Sequence, residues 1–303
     1  MPPETTPPSD PSDPSGPSDP SVRHFGPQGM RRFDLPAAYA GGIPDAAREL
    51  LTRTGVPLHV GPYFTAARET DAPTLGLFAG HHGVTVPGAA AEQVRLGTDR
   101  LGQVCVRSDG TVRALFLGQF GMDDLYVGSG VDAFVRSLAA LDRRMPVIAA
   151  AESLPVAAAA FRELNAELRS LDPAAFENRE SWWPRVLDDV RHTLNFPFSA
   201  AFEYVDGDGE KQIVTDATGP GRPHPEELIW DRLAGQGVEP EQVRRVYTEL
   251  QPCMMPGHYC AVWLQRLFPH ARFSHSFDYG DTADSREEGM KELITHAAQQ
   301  GSR

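Results

Sequence analysis

The sequence predicts two packed regions of different class: an α+β region over about 26–196 and an α/β region with a mixed sheet over 197–303. Three observations carry this. Hydrophobic residues make up 41% of the 303-residue chain, close to the share needed for a sizeable core once glycine is added. In the first region strand patterns precede long helical ones, whereas in the second they alternate as β-β-α-β-α-β-α. Ahead of both, residues 2–20 hold eight prolines set among Ser and Asp. Such a segment buries too little apolar surface to offset its ordering entropy, so residues 1–25 read as a disordered tail.

The elements follow in order. IPDAARELLTR puts Ile43, Ala47, Leu50 and Leu51 on one helical face, and Gly55 stops it. QVCVR and TVRALFLG flank Asp109-Gly110, a hairpin signal, and DDLYVGS reads as a further strand. VDAFVRSLAALDRR is a helix with Phe134, Val135, Leu138 and Leu141 inward. Two more helices carry Phe161, Leu164, Leu168 and Leu171, then Trp183, Val186, Leu187, Val190 and Leu194.

In the second region, SAAFEYV and KQIVTDA form a hairpin across Asp206-Gly207-Asp208-Gly209. HPEELIWDRLAGQG is a helix with Pro225 at its first position and glycines at its end. VRRVYTEL is a strand. HYCAVWLQRLF is a helix with Tyr259, Val262, Trp263 and Leu267 on one face, and ARFSHSFDY is a strand. SREEGMKELITHAAQQ is a helix opened by a Ser285/Glu288 capping box, with Met290, Leu293, Ile294, Ala297 and Ala298 inward.

Composition removes several function classes. No run of about 18 apolar residues exists, so no membrane span is expected. The N-terminus lacks the basic start and apolar stretch of a Sec-type signal. Three cysteines do not make a disulfide framework, and a cytoplasmic address follows as the expectation. The net charge of −13 argues against bulk binding to nucleic acid or an anionic membrane, while leaving room for a local groove.

Chemistry concentrates in the second region. His224-Pro225-Glu226 opens one helix; Cys253 follows a strand and Cys260 lies in the first turn of the next helix. Each piece alone is ordinary. Together, one imidazole and two thiols match the three N/S ligands of a catalytic zinc that keeps one position open. Helix N-termini favour the thiolate form. Two thiolates blunt the ion's acidity, so a nearby base is needed, and Glu226 is placed for it. His258 lies close enough in sequence for C-x4-H-x-C to be a rival ligand assignment. Glu249 reads as a solvated strand-end carboxylate, Cys105 as a buried inert thiol, and His81-His82 as surface residues. Phe273, His275, Phe277 and Tyr279 alternate onto one face; core packing is the preferred reading, with Phe277 and Tyr279 most open to substrate.

The His-x-Glu step with the Pro252-Cys253 … Cys260 segment resembles the cytidine deaminase-like superfamily, whose signature is H-x-E followed by P-C-x-x-C. HSFDYG (275–280) resembles the deaminase domains of bacterial polymorphic toxins. The resemblance covers about 105 residues and departs in one respect: six residues separate the cysteines, and the loop with Pro256 and Gly257 is expected to bulge out. It implies a three-layer α/β domain and a Zn2+ cofactor held by His224, Cys253 and Cys260. The implied reaction is hydrolytic deamination of cytosine, with adenine second, in which Glu226 shuttles the proton and ammonia leaves. Its substrate would be single- or double-stranded nucleic acid, DNA ahead of RNA, although this region carries 10 Lys+Arg against 17 Asp+Glu. A free nucleotide is the alternative.

The first region resembles the SUKH superfamily, its fourth subfamily in particular, through GVPLHVGPYF (55–64), LGQVCVRSDGTVRALFLG (101–118), LYVGSGVDAFVRSLAALD (125–142) and WWPRVLDDV (182–190). Gly128-Ser129-Gly130 replaces the polar Asn-Ser-Ser-like step usual there. This resemblance implies an immunity-type, protein-binding module whose partner is a toxin or immunity protein. The competing reading of the whole chain is a non-catalytic partner-binding protein with a structural zinc or degenerate deaminase domain.

Overall fold

The structure, a computed structural model, describes residues 20–35, 42–69, 73–86, 88–118, 124–219 and 221–301. The segment 1–19, most of the expected tail, lies outside them. Residues 20–25, assigned to that tail, instead form helix α1 (Pro20–Phe25), whose Val22 is buried in the first core. Short apolar stretches flanked by proline carry little periodic signal, and packing decided this one.

The first region holds a two-stranded pairing of β1 (Met30–Arg31) with β2 (Val56–Pro57). It also holds an antiparallel six-stranded sheet in simple order: β3 (His59–Val60), β4 (Phe64–Ala66), β5 (Val94–Thr98), β6 (Gly102–Val106), β7 (Val112–Phe116) and β8 (Leu125–Gly128). Gly110, at φ 87°, makes the β6–β7 turn that Asp109-Gly110 predicts. Helix α2 (Asp45–Arg53) and the short α3 (Leu75–His81) precede the sheet's central strands. The long helices α4 (Val131–Ala149), α5 (Leu154–Leu171) and α6 (Trp182–Asn195) follow it. Their inward residues are those the 3.6-residue period picks out: Phe134, Leu138 and Leu141 on α4, Leu164 and Leu168 on α5, Trp183, Val186 and Val190 on α6.

The second region has the expected order. Strands β9 (Ser199–Val205), β10 (Lys211–Ala217), β11 (Val243–Leu250) and β12 (Arg272–Phe277) form one sheet ordered β10-β9-β11-β12. The β9 pairings are antiparallel and β11–β12 is parallel, so the sheet is mixed. Helices α7 (Pro225–Gly235), α8 (Cys260–Leu267) and α9 (Ala283–Gly301) alternate with the later strands. A second core joins Phe202 and Val246 of the sheet with Ile229 of α7, Leu264 of α8 and Leu293 of α9.

Three expectations need correction. Phe273 is 39% exposed and His275 is exposed as well, so β12 does not pack as core. As the outer strand of the sheet it has a neighbour on one side only. On α9, Met290 and Leu293 are buried but Ile294 and Ala298 are exposed, because the helix meets the sheet along a narrower stripe than its apolar residues span. Its cap is also earlier: the Thr282 hydroxyl accepts the Ser285 N–H at 3.2 Å, and the Ser285 hydroxyl accepts the Thr282 N–H at 3.1 Å.

The two regions share a polar seam. Arg286 of α9, 1% exposed, donates to Glu180 and Asp188 of the first region at 3.2 Å each. Arg100 pairs with Glu227. Buried Asp99 accepts from Trp182 Nε1 of the first region and from Tyr259 Oη of the second, both at 2.7 Å.

Candidate metal and catalytic centre

His224 is the residue just before α7, in extended conformation. Pro225 follows at the first helical position, where its missing N–H costs nothing. Glu227 then turns back and accepts the His224 backbone N–H at 2.9 Å. Glu226, one position earlier, is left free to point elsewhere. It is 3% exposed, and its Oε2 has no hydrogen-bond partner among the described residues. A buried carboxylate oxygen with no partner is uncommon and asks what it serves.

The long inter-cysteine segment does not bulge into solvent as expected. The amides of His258 and Tyr259 both donate to Met255 O, at 3.1 and 3.0 Å, folding it into a tight turn. Gly257 donates to the Asp99 carbonyl at 3.0 Å; its φ of 82° disfavours a side chain, and a Cβ there would sit tightly against the Pro62 backbone at 3.1 Å. The first region therefore presses the loop inward. Tyr259 takes a left-handed conformation, φ 47°, held by its hydroxyl on Asp99. Ala261 N–H then donates to Cys253 O at 3.1 Å, which ties the start of α8 to the end of the β11 segment.

This turn brings the sulfurs together on one histidine nitrogen. Cys253 Sγ lies 3.4 Å and Cys260 Sγ 3.5 Å from His224 Nδ1. Ligands at the usual zinc distances on tetrahedral corners stand about 3.5 Å apart for a nitrogen–sulfur pair. The donor atoms of His224, Cys253 and Cys260 all fall within 4.8 Å of one another, and all three residues are buried. A second group with the same property is Asp189, His224 and His258. The rival ligand His258 faces away from the sulfurs: its Nδ1 meets Glu227 Oε2 at 2.6 Å and its Nε2 meets Asp189 Oδ2 at 3.2 Å. Its ring stacks on that of His224, centroids 3.8 Å apart and 3° from parallel.

The electrostatics suit a cation. Burial disfavours charge on every group here, yet the Cys260 hydrogen bond and the His224 ring hold the Cys253 thiol well below its ordinary value. Burial and the neighbouring Cys253 push Cys260 well above its own. His224 is raised well above the ordinary imidazole range, Cys253 and Asp189 outweighing burial. Burial lifts the Glu226 carboxyl from 4.5 to about 7. A thiolate beside a thiol and a proton-holding imidazole is a set that takes up a divalent ion by releasing protons. The residues fit zinc.

Sequence reasoning missed two residues of this centre. Asp189, on α6, sets Oδ1 2.9 Å from His224 Nε2, and Tyr63 donates its hydroxyl to Asp189 Oδ2 at 2.8 Å. No local pattern marks either one. On the substrate side, a cavity of about 10 Å3 is bounded by Asp189, His192, Phe198, His224, Glu226, Leu250, Gln251, Cys253 and Tyr279. That volume holds about one water. Tyr279 lines it, its hydroxyl 2.5 Å from His192 Nδ1. Phe277 does not line it and lies against His296 of α9 instead. Glu249 is half-buried and accepts the Ser199 N–H at 2.5 Å. Cys105 is buried, its thiol pushed up to about 12 by burial. A larger cleft of about 430 Å3 lies between the regions beyond Tyr63, Asp189 and His258.

Comparison with known families agrees with this division. Residues 21–189, more than half of the chain, match the family model of the SUKH-4 immunity protein. The chain belongs to the SUKH-4 immunity protein family. Behind that part, residues 197–296 match the Xanthomonas-like deaminase model, so this SUKH-4 protein carries a fused deaminase domain. The deaminase match includes His224, Glu226, Cys253 and Cys260, and the SUKH-4 match ends at Asp189. No curated protein and no solved structure matches the chain.

Proposed function

We propose that the deaminase domain, from about residue 197 onward, is a zinc-dependent hydrolytic deaminase acting on cytosine in nucleic acid, DNA ahead of RNA, with adenine the second candidate base. The observation that carries this is the convergence of His224, Cys253 and Cys260 beside the unpartnered carboxylate oxygen of Glu226. His224, Cys253 and Cys260 would hold the zinc, and three protein ligands leave it one open position. When bound, zinc supplies the acidity that makes a water nucleophilic near neutral pH. Glu226 would pass one proton of that water through Oε2 to the ring nitrogen of the base and the second to the departing amine, which leaves as ammonia. A carboxyl poised near 7 both accepts and donates. Phe198 and Tyr279 border the space in front of Glu226 and would flank the base. Both thiols must stay reduced, which suits the cytoplasm.

The small cavity favours a second reading, a closed centre in a chain that works as an immunity or toxin-partner protein. Ligand pockets ordinarily measure about 300–1,000 Å3, against about 10 Å3 here. On the catalytic reading, this space has to widen before a base enters. The test is conversion of single- and double-stranded DNA, RNA and free nucleotides by the zinc-loaded chain and by Glu226→Ala. Conversion by the first and a loss of about 10²–10⁴-fold in the second is expected. No conversion on any of these substrates leaves the binding-protein reading.

A further inference from the structure

We propose that Asp189, supplied by the SUKH-4 half, is a positioning residue of the metal centre in the deaminase half: it accepts the Nε2–H of His224 in a hydrogen bond and so leaves Nδ1 as the nitrogen that would face an ion held with the two sulfurs. The inference rests on the reading of His224, Cys253 and Cys260 as the ligand set.

A neutral imidazole carries one N–H and one lone pair, and the group facing one nitrogen decides the role of the other. A carboxylate can only accept. With Asp189 Oδ1 2.9 Å from Nε2, that nitrogen is the donor, and Nδ1, 3.4 and 3.5 Å from the sulfurs, is left as the ligand atom. The carboxylate is itself fixed. It is 4% exposed, and its second oxygen accepts the Tyr63 hydroxyl at 2.8 Å and faces His258 Nε2 at 3.2 Å. His258 stacks flat on the His224 ring, and Phe198 meets that ring edge-on at 5.8 Å, so it cannot turn without displacing both. Carboxylates on the far nitrogen of a metal-bound histidine raise its basicity and hold its plane, and losing one costs about 10–100-fold in metal affinity.

Here the carboxylate lies 35 residues upstream of the histidine, on the last helix of the SUKH-4 half, and is steadied by Tyr63 from the turn before β4. The SUKH-4 half is then a working part of the metal site, not only a neighbour joined by a linker.

The test titrates Zn2+, with Co2+ as the coloured probe, into the full chain and into Asp189→Ala, Asp189→Asn and Tyr63→Phe. Wild type is expected to bind one Co2+ with sulfur-to-metal charge-transfer absorption. Both Asp189 variants should reach the same spectrum at saturation, with Zn2+ dissociation constants raised about 10–100-fold in Ala and less in Asn, whose amide oxygen can still accept from Nε2. Tyr63→Phe touches neither the ion nor His224, and should weaken binding less, in the same direction. Melting curves separate folding from binding, and Asn and Tyr63→Phe carry the test if Ala fails to fold. Folded Asp189 variants with Zn2+ constants within twofold of wild type, even with lowered Tm, would overturn the proposal. A wild-type chain without the charge-transfer band would overturn the ligand set itself, and Asp189 with it.

Discussion

Asp99 offers a quantitative check on how the two halves are joined. Its side chain is fully buried, with Oδ2 accepting from Trp182 Nε1 and Tyr259 Oη and Oδ1 accepting the Gly102 N–H, all at 2.7 Å. Burial lifts its carboxyl from 3.8 to about 6 against the pull of these three donors. Between those two values the folded chain binds this proton more tightly than the unfolded chain does, so stability falls as pH rises. The contribution is full below about pH 4 and is lost as pH passes through about 6. A difference of about two pH units amounts to about 3 kcal/mol, of which about 2–3 falls between pH 4 and pH 7. Asp99→Asn removes this titration and sets an amide against the Gly102 N–H or against Tyr259 and Trp182, at a cost of about 1–3 kcal/mol. Urea unfolding of both chains from pH 4 to pH 7 gives the assay, because every other titrating group cancels in the difference. The Asn chain should be the less stable at pH 4, and the gap should close or invert by pH 7. A difference that stays flat over that range would refute the reasoning.

Other outcomes follow from the same packing. Cys105, Cys253 and Cys260 are all buried, so a bulky maleimide should label none of them in the native chain over an hour and all three in denaturant. Labelling of Cys253 and Cys260 at the unfolded rate would mean that the centre is open to solvent. Gly289 on α9 lies where a Cβ would overlap the Asp278 carbonyl. Helix propensity favours Gly289→Ala by about 1 kcal/mol, but overpacking costs about 1–3, and thermal melts should show net destabilisation.

The sequence carried the secondary structure further than it carried the site. The order of strands and helices after residue 197 was legible because hairpin turns such as Asp206-Gly207-Asp208-Gly209, Pro225 and the apolar periods are local signals. The His-x-Glu and cysteine pieces were legible for the same reason. What the sequence withheld depends on tertiary neighbours. Phe273 alternates like a core residue, and only the strand order reveals that β12 is an edge. The segment 254–258 looks like a loose insertion until Asp99 and Pro62 of the other half are seen against it. Asp189 sits on an apolar helix stripe between Leu187 and Val190, where nothing in its own segment tells a carboxylate that holds a histidine from an ordinary surface residue.

The most direct test of the central claim is metal content with X-ray absorption at the zinc edge on the full chain. One equivalent of zinc is predicted, with two sulfurs at ~2.3 Å, one imidazole nitrogen and one further light ligand. Its sulfur shell should vanish in Cys253→Ser/Cys260→Ser and stay intact in Glu226→Gln. A chain that binds no zinc, or a shell of four protein ligands including His258, would contradict it.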